Sequence, residues 1–349
     1  MRISSIIPCV RNANGSGHEQ RRQTDGPGKD EVNRMNDFRK TAQEMLEFIR
    51  ISPTCFHAVA NIGRMLEAAG FQQLQEKEEW KLEKGGRYYT ERNDSSVIAF
   101  VIPEKEVGIR GFHMAAAHSD SPCFKIKEKP ELTVEEHYLR LNTEKYGGMI
   151  LSTWLDRPLS VAGRLAVKNG NGIEGRLVNI DRDLCVIPNV AIHMNREMNK
   201  GVEYNPQVDL LPLLADVSFD EYDAHTTYDA QTASENAEEQ PEAVEKPTLV
   251  ALAAETAGVD AETILGEDTR QEGKMIGAKG EFVLSPRLDD LQSAFALTKA
   301  FTESTPAEYI NVCAVFDNEE VGSGTRQGAD STFLEDILQR IAEGLQADH

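Results

Sequence analysis

The stretch Ile310-Asn311-Val312-Cys313-Ala314-Val315-Phe316-Asp317-Asn318-Glu319-Glu320-Val321-Gly322-Ser323 decides the fold class. A short apolar run of this kind reads as a buried parallel strand, and in open α/β sheets ligands gather beyond the carboxyl ends of such strands. This strand runs straight into two adjacent carboxylates, Glu319 and Glu320. Neighbouring acids at such a point repel each other unless a cation or a shared proton offsets them. The pair therefore points to one acid that binds a metal ion and one that handles protons. Taken alone it reads as a solvated loop; two further strand ends argue against that.

The first is the small-residue run Gly111-Phe112-His113-Met114-Ala115-Ala116-Ala117, which ends in His118, with Asp120 and Pro122 following. Neutral imidazole is a strong zinc ligand, and a ligating His usually has a carboxylate that fixes its tautomer and raises its basicity. Asp120 is near enough to do that. His113, inside the run and without a nearby acid, reads as a packed strand residue. The second is Leu284-Ser285-Pro286-Arg287-Leu288-Asp289-Asp290-Leu291. A short strand over 281–284 passes through Ser285-Pro286 into an amphipathic helix from about Asp289, with Leu291, Ala294, Phe295 and Thr298 inward. Asp289 reads either as an N-cap or as a carboxylate that bridges two metals roughly 3.5–4 Å apart. Two acids in a row allow one of each.

With these motifs in hand, the segments AAAHSDSP (115–122), SPRLDDLQSAF (285–295) and FDNEEVGSGTRQGADS (316–331) resemble those of the aspartyl aminopeptidase family of dinuclear zinc metallopeptidases. TWLDRPLSVAGRL (153–165) and IPNVAIHMNREMN (187–199) resemble that family's inserted domain. The resemblance runs from about Phe38 to the end of the chain. It implies an α/β fold: a phosphorylase/hydrolase-like α/β/α metallopeptidase domain interrupted by an inserted all-β dimerisation domain. It also implies the roles. His118 would be a terminal ligand of one zinc and Asp120 would orient it. Asp289 would bridge both ions, Glu320 would be a terminal ligand of the other, and Glu319 would be the general base. His193 would reach a neighbouring subunit's active site and help hold the substrate. Zn2+ would be the cofactor, two ions per subunit, with Mn2+ or Co2+ suited to the same donors. Peptides would be the substrates, cut at the N-terminal bond, and the assembly would be a dodecamer of dimers. The family carries a further Asp ligand and a final His ligand after the Glu-Glu motif. By that comparison the chain is truncated at its C-terminus, which makes a catalytically inactive assembly or binding subunit the alternative function.

Organisation along the chain follows the same plan. Residues 1–34 read as disordered or as a mis-assigned start, 35–120 as the first part of the catalytic domain, 121–272 as the β-rich insertion with an acidic loop at 216–247, and 273–349 as the second catalytic part. Helices are expected over 37–51 and 58–69, with Gly70 as a stop, and strands over 87–90, 97–102 and 112–117. Strands over 139–142, 160–168 and 176–180, with a hairpin turn at 168–172, and a helix over 249–258 are expected in the insertion. The last helix, 331–345, carries the stripe Phe333, Leu334, Ile337, Leu338, Ile341 and Leu345, part of which is expected to stay exposed.

Composition narrows the rest. Against 58 acids stand 37 Lys and Arg, a net charge of −21, which argues against nucleic acid and anionic membrane surfaces as partners. The five cysteines, at 9, 55, 123, 185 and 313, are scattered and odd in number, which points to a reducing, cytoplasmic setting. No stretch approaches the ~18 apolar residues of a membrane span, and MRISSIIPCV lacks the features of a signal peptide.

Overall fold

The computed structural model describes residues 29–104, 111–169, 172–216, 249–259, 264–267, 273–306 and 308–345. The hairpin turn at 170–171, most of the acidic loop and residues 1–28 lie outside them. The described residues form two compact units. One takes the chain up to Asp120, resumes after the insertion up to Glu319, and includes the residues from Ser323 on; the other takes Ser121–Arg270 and the short piece Glu320–Gly322.

In the first unit, helices α1 (Lys29–Arg50) and α2 (Cys55–Ala68) open the chain. α1 begins inside the stretch read as unstructured, because the charged residues there are adequate helix formers even without an apolar period. Thr54 caps α2 by accepting from the His57 amide at 3.4 Å, and Gly70, at φ +83°, provides the left-handed turn that ends it. Strands β1 (Gln72–Gln73), β2 (Arg87–Arg92), β3 (Ser96–Val101) and β4 (Phe112–His118) follow. After the insertion come a two-stranded ribbon (Lys274–Ile276 with Phe282–Leu284), helix α3 (Leu288–Thr302), strand β5 (Ile310–Phe316) and helix α4 (Phe333–Gly344).

The five strands form one sheet in the order β1-β2-β3-β5-β4. It is mixed: β5 runs parallel to β4 and antiparallel to β3. Side chains alternate along β5. Cys313 and Val315 meet Phe48, Ile62, Leu66, Leu291, Ala294 and Phe295 of the three helices on one face. Val312, Ala314 and Phe316 meet Phe333, Ile337 and Ile341 of α4 on the other. The unit is therefore an α/β/α sandwich.

The last helix's stripe divides: Phe333, Ile337 and Ile341 are fully buried against the opposite face of the same five strands, while Leu334, Leu338 and Leu345 are only partly buried, so part of the stripe stays exposed as expected. A further exposed apolar surface lies on β4. As the edge strand among the described residues it leaves Met114 at 55% exposure. For the same reason His113 is not packed inside: it is exposed and stacks on Tyr309, ring centroids 4.1 Å apart.

Among the described residues the second unit is β-rich with one α-helix, the one expected over 249–258, rather than purely β. Its five-stranded sheet includes the long antiparallel pair Cys123–Val134 and Tyr138–Tyr146, and a three-stranded sheet is built on the hairpin Ala162–Asn169/Gly172–Asn179. The helix Leu249–Ala257 buries Leu249 and Ala253 in a core with Leu141, Leu165, Ile187 and Leu210. Among the described residues no helix is long and apolar enough to cross a membrane.

Candidate metal centre

Strand register brings the chemistry together. β4 and β5 run parallel with Phe316 paired to His118, so the residues after Phe316 and the end of β4 emerge at the same edge of the sheet. α3 starts at that edge too. Its first residues are irregular: Arg287 is left-handed at φ 53°, and Asp289 and Asp290 are non-helical and joined by a cis peptide bond.

His118 is the centre of the arrangement. Its Nδ1 lies 3.2 Å from Oδ1 and 3.1 Å from the main-chain O of buried Asp120. The same Asp120 Oδ1 accepts from the Glu319 amide at 3.1 Å, so one oxygen holds both residues. On the other side, His118 Nε2 faces Asp289 Oδ1 at 3.2 Å and Glu319 Oε2 at 3.8 Å. The Asp289 and Glu319 side chains are 85% and 57% exposed.

Electrostatics follow from the geometry. Burial of the imidazole opposes its charged form. The Asp120 hydrogen bond and the charges of Asp120, Asp290 and Glu319 outweigh burial and push its pKa up to about 9. A pocket that holds a positive imidazole so firmly is one whose negative charge a divalent cation would also offset. The donor chemistry, one imidazole nitrogen with carboxylate oxygens, fits zinc. So does the 3.2 Å edge between Nε2 and Asp289 Oδ1, since two ligands at ~2.0–2.2 Å from one tetrahedral ion stand about 3.3–3.5 Å apart. Among the described residues, however, no group of three or more His, Cys, Asp or Glu side chains closes around one point.

The remaining expected residues belong to the other unit. Glu320 opens the short piece grouped with the insertion, where a Cβ added to Gly147 would come to 2.9 Å from its Cβ. His193 stands on an exposed turn of the insertion unit. Beyond the ligand or cap role that two adjacent acids allow, Asp290 has a third: its Oδ2 accepts from the His118 amide at 3.1 Å, and so ties the start of α3 to the end of β4. The Asp289-Asp290 doublet was the visible sign, yet only the tertiary arrangement tells which strand the second acid serves.

Comparison with known proteins bears on this geometry. Residues 48–349 match the family described as aminopeptidase I zinc metalloprotease (M18). The chain belongs to that family. M18 relatives among curated proteins include a probable M18 family aminopeptidase 2 of Clostridium novyi, 44% identical over 315 residues, which cover 88% of this chain and 68% of that protein. Among solved structures, a chain of the Ape4 and Nbr1 complex is 35% identical with a TM-score of 0.76, over 87% of this chain and 59% of that one. The S. cerevisiae mApe1 dodecamer gives 25% identity and a TM-score of 0.67, over 88% of this chain and 67% of that one. The chain thus spans about two thirds of the length of the M18 proteins it matches. The M18 family is a family of zinc-dependent peptidases, and the α/β/α sandwich is its metallopeptidase fold.

Proposed function

We propose that this chain works as a metallo-aminopeptidase on the N-terminal bond of peptides, with His118, Asp289 and Glu320 as metal ligands, Asp120 as the orienter of His118 and Glu319 as general base. One observation carries the reading. His118 Nε2 faces Asp289 Oδ1 at 3.2 Å, while a single Asp120 oxygen is shared by His118 Nδ1 and the Glu319 amide.

Two zinc ions, when bound, would supply polarisation of the scissile carbonyl and a lowered pKa for the attacking water. The chain's own residues do the rest. Asp120 accepts a hydrogen bond from His118 Nδ1–H, which fixes the tautomer and leaves the Nε2 lone pair for a cation. Asp289, at the sheet edge, offers a largely exposed carboxylate that would help hold both ions. Glu319 has its main chain pinned and its carboxylate open to solvent, so it accepts a proton from water and returns it to the leaving amine. His193 is assigned to substrate binding across a subunit boundary. The dodecamer of the S. cerevisiae relative supports a homo-oligomer, which light scattering on the purified chain tests, and a monomer would remove that assignment. The cytoplasm is the compartment that the scattered cysteines favour, and cell fractionation checks it.

The deciding experiment is Glu319→Gln in the full chain. Turnover of an aminoacyl reporter should fall by at least ~100-fold, the scale of general-base catalysis, while bound zinc stays at the wild-type level. Loss of zinc in this variant would make Glu319 a ligand instead of the base. A wild-type chain that takes up no zinc in a calorimetric titration would sink the enzymatic reading.

A further inference from the structure

The loop that carries Glu319 is held by a residue outside the chemistry above. β5 ends at Phe316, and the next two residues, Asp317 and Asn318, are buried. Asn318 sits in the left-handed region at φ 63°, a conformation that costs most side chains energy and that Asn tolerates. Its Oδ1 accepts from Thr325 Oγ1 at 2.7 Å and from Gln327 Nε2 at 2.9 Å. The same Nε2 reaches Asp317 Oδ2 at 3.4 Å, and Gln327 Oε1 accepts from Asn93 Nδ2 at 2.8 Å. The Gln327 main-chain oxygen accepts from Ser96 Oγ at 2.7 Å and from the Asp317 amide at 3.3 Å. Next to it, Gly328 lies so close to the chain that an added Cβ would come to 2.0 Å from the Ser323 carbonyl oxygen.

The consequence concerns Glu319. With its side chain 57% exposed, its aim depends mainly on its backbone. That backbone has two anchors. Asp120 holds the Glu319 amide, and Gln327 holds the residue before it. We propose that Gln327 is a positioning residue: its carboxamide locks Asn318 and Asp317 in the turn and thereby sets how the Glu319 carboxylate stands towards His118. This rests on the reading of Glu319 as the base. The carboxamide cannot be exchanged for a carboxylate, because an oxygen at the Nε2 position would face two acceptors at once.

The test uses the full chain loaded with zinc. Gln327→Ala and Gln327→Glu should lower kcat by about 10- to 100-fold, the scale of a small misplacement of a catalytic group. KM and the calorimetric zinc stoichiometry should stay near wild type. Asn93→Gly keeps the left-handed turn at Asn93 but removes the support of Gln327 Oε1, and should give a smaller loss of the same kind. Wild-type kcat in Gln327→Ala overturns the proposal, and so does a loss that tracks loss of zinc. If both Gln327 variants fail to fold, an unchanged kcat in Asn93→Gly overturns it. If the wild-type chain binds zinc but turns nothing over, the reading of the site fails and crystal structures decide the clamp. A Glu319 that keeps its place beside His118 in Gln327→Ala then refutes it, and a displaced Glu319 upholds it.

Discussion

Glu91 lies on β2 beneath α2, where the absence of a side chain at Gly63 makes room for its carboxyl: a Cβ there would come to 3.0 Å from Glu91 Oε1. Burial, and then the charges of Asp94 and Glu67, push its pKa from the ordinary 4.5 up to about 7. The folded chain therefore holds this proton to higher pH than the unfolded chain. The contribution is fully present below about pH 4.5 and is lost as pH rises through about 7. At 1.36 kcal/mol per pKa unit the gap corresponds to roughly 3 kcal/mol, and partial access of water to the carboxyl lowers this to about 2 kcal/mol. Glu91→Gln keeps the shape of the protonated acid and removes the titration. Urea unfolding of both proteins in EDTA, at several pH values from 4.5 to 8, measures the difference. The two should be about equally stable at the acid end, and the variant should be more stable by about 2 kcal/mol at the alkaline end. His118 titrates in both proteins and cancels. A constant offset between the two curves would show that Glu91 ionises as an ordinary surface acid, and the argument from Gly63 and burial would fall.

Two further outcomes follow from the same geometry. Asp120→Ala removes the acceptor shared by His118 Nδ1 and the Glu319 amide; zinc affinity by calorimetry should fall about 10- to 100-fold, and an unchanged affinity would release Asp120 from the role of orienter. Ile337→Ala deletes a fully buried side chain between α4 and the sheet and should cost about 2–5 kcal/mol in urea unfolding; a cost under about 1 kcal/mol would mean that α4 does not cover that face.

What could be read from the sequence, and what could not, divides on a physical line. The strand that ends before Glu319 and Glu320 and the strand that ends in His118 are local apolar runs, legible from periodicity alone. That the two ends lie level depends on the Phe316 to His118 register, which is a property of pairing between segments far apart in sequence. The same limit explains the misread edge. The residues of β4 are small and apolar, so they read as core, but among the described residues strand order gives β4 a neighbour on one side only and leaves His113 and Met114 in the open. It also explains α4, whose stripe was legible while its partner face was not.

The site shows this division most sharply in its polar supports. A His, an Asp or a Glu at a strand end announces possible chemistry by residue type. Asp290, Asn318 and Gln327 announce nothing, because an acid at a helix start or an amide in a Gly-rich loop has a sufficient local explanation as cap or turn former. Their work appears only where the chain folds back. Asp290 reaches the His118 amide 172 positions away, and Gln327 is braced by Asn93, 234 positions away. The first holds a main-chain atom of His118, and the second braces the side chain that grips the turn before Glu319. A misplaced base costs rate even when every reactive group is present. Two chains could therefore share His118, Asp120, Asp289, Glu319 and Glu320 and still differ in turnover through position 327 alone.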